Sequence, residues 1–200
     1  MKRYICSAIN NQMKTLFRSF NILTETDLNN IDDYIFERRL KKGEYLIQQD
    51  MVSDEIAYIQ SGALRSFYNN ENGDEITNCI TFEGELMSAY ASFITQLPAE
   101  DSIQALFDTE LIVIKKKDLE KLYEESNEWQ KIGRLLAEMQ YVDLEKRIAS
   151  FQKESGSQRY ETMLKSYPNY IKYIPLRYLA SFLGVTPRHL SRIRAQYKDL

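Results

Sequence analysis

Arg188 and Arg192 stand four residues apart in the run Pro187-Arg-His-Leu-Ser-Arg-Ile-Arg194. In a helix, at about 100° per residue, they share one face with Ser191 and Ala195. Leu190, Ile193 and Tyr197 then form an apolar stripe on the other side. Two guanidiniums at i and i+4 repel mildly when they face only water. Facing a duplex, the same groups pair with guanine edges and phosphate oxygens, which arginine binds through two N–H groups at once. The chemistry on offer is recognition of a polyanion, not bond-making.

The residues before this run supply what would hold such a helix. Leu176, Leu179, Ala180 and Leu183 recur at i, i+3, i+4 and i+7, one apolar stripe of a preceding helix. Gly184 follows, where a left-handed residue ends a helix at least cost. Val185 can pack under the turn, Thr186 can cap the next helix, and Pro187 suits its first position. The spacing predicts a helix-turn-helix over 174–197, with DNA as its partner. Arg188, Ser191 and Arg192 are the candidates for base edges. Pro187 stands beside them, and Thr186, His189, Arg194 and Arg177 are candidates for backbone phosphates or helix flanks. A surface helical hairpin with solvated arginines is the plainer alternative.

Net charge is only −3, which by itself argues against nucleic acid. Its distribution argues the other way. From Ser157 onward there are eight basic residues against two acidic ones, so an acidic body carries a basic terminal piece. The two cysteines, Cys6 and Cys79, are far apart, and the single histidine is His189. This excludes a cysteine-rich zinc or iron–sulfur motif and makes a histidine-based haem or metal site unexpected. Reduced thiols, no signal peptide and no apolar run of membrane length lead to the expectation of a cytoplasmic protein with no membrane partner. With no nucleophile motif and no metal cluster, no catalytic residue is nominated. Asp32/Asp33 and Glu124/Glu125 read as solvated helix faces.

Upstream, residues 10 to 40 read as helical, with a capping box at Thr24-Glu-Thr-Asp27 and Leu28, Ile31 and Ile35 following. From Glu44 the pattern turns to short β-rich runs, with Asn72-Gly73 as a hairpin signal and Leu111-Ile-Val-Ile114 as a last buried strand. Many such strands suggest a sandwich, jelly roll or barrel. Asp118 is a candidate cap for a short helix, and a longer helix begins near Asn127. In the latter Ile132, Leu135, Met139 and Val142 alternate by three and four residues, widened by Leu136. That is the seam of a short coiled coil, hence an expected homodimer interface, although a helix packed on its own domain has the same pattern. Glu154-Ser-Gly-Ser-Gln158 reads as a linker.

The order of these pieces resembles the Crp/Fnr family of bacterial transcription regulators. The resemblance rests on Leu40-Lys-Lys-Gly-Glu-Tyr-Leu46, Tyr58-Ile-Gln-Ser-Gly-Ala-Leu-Arg65, Phe82-Glu-Gly-Glu-Leu86, the seam 132–142 and the helix-turn-helix run. It implies an α+β protein: a jelly-roll-like sensor β-roll of the cyclic-nucleotide-binding type over 1–125, a dimerisation helix over 126–154, and an all-α DNA-binding domain over 155–200. It also implies a cytoplasmic homodimer on double-stranded DNA, with RNA polymerase as a further partner. In nucleotide-binding members a Gly-Glu-Leu turn precedes a short helix and then an Arg-Ser/Thr-Ala step. The Glu holds the ribose and the Arg pairs with the cyclic phosphate. Gly84, Glu85 and Leu86 match the first half. The second half reads Leu97-Pro-Ala-Glu-Asp-Ser-Ile103, with no arginine and two carboxylates. The resemblance thus implies a roll without a bound cyclic nucleotide or other resident cofactor. A pocket at Gly84, Glu85, Leu86, Met87, Ser88 and Tyr90 is left for an unknown small effector. A sensor module that acts through protein partners instead of DNA is the rival reading.

Overall fold

A computed structural model describes residues 10–197 of the chain; Cys6, Lys198 and Asp199 fall outside the described residues. The chain begins with α1 (Asn10–Arg18) and α2 (Glu25–Asn30). The box expected at Thr24 is present: Asp27 N–H donates to Thr24 Oγ, and Thr24 N–H donates back to the Asp27 carboxylate. One 3-10 turn follows, and then the chain extends. The helix expected as far as residue 40 therefore ends early. Ile35 shares a core with Leu28 and Ile31 as its spacing suggests, but it arrives there from a strand paired with Ile114. Pairing across the sheet overrides the local helical period.

Eight strands follow: β1 (Ile35–Leu40), β2 (Tyr45–Ile47), β3 (Glu55–Ser61), β4 (Ala63–Asn69), β5 (Glu75–Phe82), β6 (Leu86–Met87), β7 (Ser102–Ala105) and β8 (Thr109–Lys115). They form two four-stranded antiparallel sheets, β1-β8-β3-β6 and β2-β7-β4-β5, which pack face to face as a roll. Ile59, Leu64, Ile103, Leu111 and Val113 fill the space between them. The Asn72-Gly73 turn joins β4 to β5, with Gly73 in the left-handed region its turn requires. A short helix, α3 (Tyr90–Thr95), lies between β6 and β7.

The outer face of the first sheet carries a second core. Here α4 (Lys116–Glu125) and the start of α5 (Asn127–Lys153) pack with α1 and α2. Phe17 meets Trp129 edge-on at 5.2 Å between ring centres. Asp118 lies in the first turn of α4 and does not cap it; the cap position is Lys115. Helix α5 is 27 residues long and uninterrupted. It divides the expected seam. Ile132 is buried and Leu136 half-buried on the chain's own domain, whereas Met139 and Val142 are exposed. Tyr141, Leu144 and Ile148 are exposed as well, on another side of the same helix.

Only Glu154 and Ser155 separate α5 from α6 (Gly156–Ser166). The stretch read as a linker is a helix start: Ser155 and Gln158 form a second capping box. Helices α7 (Pro168–Ile171), α8 (Leu176–Phe182) and α9 (Pro187–Gln196) complete the fold.

Candidate nucleic-acid interface

Helices α8 and α9 make the helix-turn-helix with the chemistry expected of it. Leu179, Ala180, Leu183, Leu190 and Ile193 are buried in one core with Tyr160 and Met163 of α6 and Ile171 of α7. Gly184 turns the chain at φ +65°. A Cβ there would stand 2.6 Å from Cε1 of Phe151, so both the backbone angle and the close approach of α5 require glycine. Thr186 caps α9, its Oγ accepting the His189 N–H at 3.2 Å, and Pro187 opens the helix.

This packing turns Arg188, His189, Ser191, Arg192 and Ala195 outward. With Leu176 and Pro187, four of these (Arg188, Ser191, Arg192, Ala195) line one shallow concavity on the surface. Arg188 and Arg192 have no hydrogen bond or ion pair among the described residues. Two unneutralised guanidiniums on one helical face are a standing electrostatic demand for an anion. Arg177 lies exposed at the start of α8, its Nη2 donating to the Tyr178 hydroxyl at 2.5 Å.

Arg194 behaves otherwise. Its Nη2 donates to the carbonyls of Ile171 and Ile174, at 2.9 and 3.3 Å, and its Nε is buried without a partner. It clasps the end of α7 instead of standing on the outer face. Arg159 is also inward, on the carbonyls of Leu183, Ser150 and Glu154. Part of the terminal basic surplus is therefore internal mortar.

On the roll, the expected effector residues are dispersed among separate tasks. Gly84 and Glu85 form the turn into β6, so a strand intervenes before α3; the residues just ahead of that helix are Ser88 and Ala89. Glu85 accepts from the Phe82 N–H at 2.9 Å and from the Tyr167 hydroxyl at 2.6 Å. Burial, and then that bond to Glu85, hold the Tyr167 phenol protonated well above its usual range. Leu86 packs under the outer core and Met87 in the roll core. The Ser88 hydroxyl donates to the Glu55 carbonyl at 2.7 Å. Tyr90 is exposed, stacked near Phe93. In the 97–103 stretch, Asp101 accepts from Ser66 Oγ and Asn78 Nδ2, at 2.8 and 2.5 Å. The Asp101 carboxylate is thus committed to two donors of the roll itself. Cys79 is a free thiol whose proton is held more tightly through burial. No group of three or more metal-ligating side chains is assembled among the described residues, and no helix there is long and apolar enough to cross a membrane.

Sequence reasoning missed the contacts between the two domains, above all Arg65, Tyr167 and Tyr178. The one signal was the density of tyrosines between Tyr160 and Tyr178, more than a small helical core consumes.

The fold and the exposed basic helix define an architecture: a cyclic-nucleotide-binding-type roll joined by a long helix to a helix-turn-helix. Residues 37–126 match the family model of the cyclic nucleotide-binding domain. The whole arrangement is similar in fold to solved transcription regulators, one of them described as of the Crp/Fnr family. FixK2 from Bradyrhizobium japonicum superposes with a TM-score of 0.70 at 16% identity, over 82% of this chain and 85% of its own. The Thermus thermophilus catabolite activator protein gives 0.53 at 22% identity, over 88% and 84%. The sensor domain of the transcriptional regulator DNR from Pseudomonas aeruginosa gives 0.55 at 19%, over 73% and 97%. No curated protein sequence matches the chain.

Proposed function

We propose that this protein is a homodimeric, sequence-specific DNA-binding transcription regulator that does not respond to a cyclic nucleotide. The observation that carries it is the outer face of α9: two arginines with no partner among the described residues, and a serine, on a capped, well-packed helix. Arg188, Ser191 and Arg192 meet base edges; Thr186, His189 and Arg177 meet the backbone. Two copies joined along the exposed Met139 and Val142 part of α5, with half-buried Leu135, place two α9 helices on successive major grooves about 34 Å apart. Against a cyclic nucleotide stand the commitment of Glu85 to Tyr167 and the Asp101 carboxylate where a phosphate partner is needed.

Titration of purified protein with random and selected duplexes at several salt concentrations tests this. The expected result is affinity that falls steeply with salt, and a molar mass of two chains by sedimentation. Salt-independent or absent binding refutes it and favours the protein-partner reading.

A further inference from the structure

The helical domain does not hang free from α5; it is docked on the outer face of the second sheet. Strand β5 is the edge of that sheet, and α8 covers it. At the bulge in the β4–β5 pairing, the Thr77 N–H donates to Ser181 Oγ of α8 at 2.9 Å. Beside it, Arg65 of β4 is 0% exposed. Its guanidinium lies between two rings, 3.8 Å from the centre of Phe67 and 3.5 Å from that of Tyr178. Its N–H groups are taken by Gln104 at 2.7 Å, Glu75 at 2.7 Å and Thr77 at 3.4 Å. Tyr178 of α8 thus closes a cationic slot that the roll has fully assembled.

The turn after β5 makes a second contact. Phe82 stacks on Tyr167 at 3.9 Å, and the hydroxyls of Tyr167 and Tyr170 donate to Glu85 and Glu83. Ala63, Ile80, Phe82 and Leu106 of the roll belong to the same core as the helix-turn-helix. On the far side, α5 holds the turn between α8 and α9. Arg147 donates to the Phe182 carbonyl at 3.1 Å and stacks on that ring, and Arg159 takes the Leu183 carbonyl. The domain is gripped from two sides by aligned polar groups, while the face bearing Arg188 and Arg192 stays open.

From this we infer that the roll acts as a rigid clamp which presents α9 to DNA without any small ligand, through the Arg65–Tyr178 slot and the Tyr167–Glu85 contact. The inference rests on the DNA-binding reading. A ligand shifts an equilibrium only between states that it binds differently. Here the docked state already satisfies the arginine, both turn carboxylates and the edge-strand amide.

Hydrogen exchange at the Thr77 amide, read in the ligand-free full chain with and without duplex DNA, tests the clamp directly. Slow exchange in both conditions is expected. Tyr178→Ala should speed Thr77 exchange and weaken specific DNA binding at least tenfold, with helical content by circular dichroism unchanged. Should that variant unfold, Ser181→Ala removes only the acceptor and should speed Thr77 exchange with a smaller loss of affinity. A protein that binds duplex while Thr77 exchanges fast until DNA is added overturns the clamp alone. So does Tyr178→Ala that binds as well as, or better than, the parent. Slow Thr77 exchange in a protein that binds no duplex refutes the DNA reading itself.

Discussion

Arg192 and Arg194 are two residues apart on α9, yet they belong to different regions of the molecule. Arg192 stands on the outer face with no partner among the described residues, whereas Arg194 reaches under the domain to two backbone carbonyls. Arg65, Arg147 and Arg159 side with Arg194: each is enclosed by rings or carbonyls. Burial lowers the proton affinity of Arg147, as expected for a charge withdrawn from water. The same residue type therefore serves two purposes, and local charge density does not separate them. What separates them is whether the fold has already supplied the acceptors. Inner arginines should act first on stability, and on DNA affinity only through the docking that Arg65 supports; outer ones should act on DNA affinity with little change in stability.

The largest effect should come from Arg65→Met. It keeps most of the packing but strands Gln104 and the Glu75 carboxylate and empties the slot under Tyr178. Since Glu75 is partly exposed, the expected loss is about 2–3 kcal/mol, read by denaturant unfolding. No loss would remove Arg65 from the inner, stabilising group. Next comes Arg192→Ala, expected to cost about 1–3 kcal/mol on a specific duplex and to relax one base preference. Its unfolding midpoint should hardly move; a large shift would put Arg192 with the inner group. Arg194→Ala should do the reverse, losing about 1–2 kcal/mol of stability by orphaning carbonyls at the end of α7. The salt slope of DNA binding should stay as it was, and a flattened slope would restore Arg194 to the phosphate contacts.

The smallest effect concerns pH. The Tyr167 phenol is held above its ordinary value of 10.0 when docked, so the neutral form favours the docked state. That contribution is fully present below pH 10.0 and is lost as pH rises through the raised value. Tyr167→Phe should abolish this part of the alkaline loss while changing neutral-pH stability by roughly 1 kcal/mol or less. An unchanged alkaline profile would remove Tyr167 from the contact.

Much of the interface was legible in the sequence because its signals are local. The Gly184 turn, the Thr186 cap, Pro187 and the two stripes each report on neighbours within a few residues, and all landed as spaced. Most of the failures come from long-range pairing, and one from a local cap hidden by linker composition. Ile35 follows helical spacing but is captured by β8. Glu154–Gln158 has linker composition, yet Ser155 and Gln158 cap each other. Glu85 matches a ribose-binding turn by residue type, but β6 separates it from α3 and Tyr167 takes its oxygen. Arg65 gave no hint at all, since its ring partner Tyr178 lies more than a hundred residues away. The apolar period on α5 divides: Ile132 and Leu136 are spent within the chain, and Met139 and Val142 are exposed.

The central claim is that the outer arginines of α9 read base sequence. Wild-type protein and Arg192→Ala should be offered the same pool of random duplexes, and the retained DNA sequenced. The expected result is a palindrome with half-sites about one helical turn apart, and in the variant one position per half-site relaxed while the rest persists. Identical preferences in both proteins, or no enrichment by either, would contradict it.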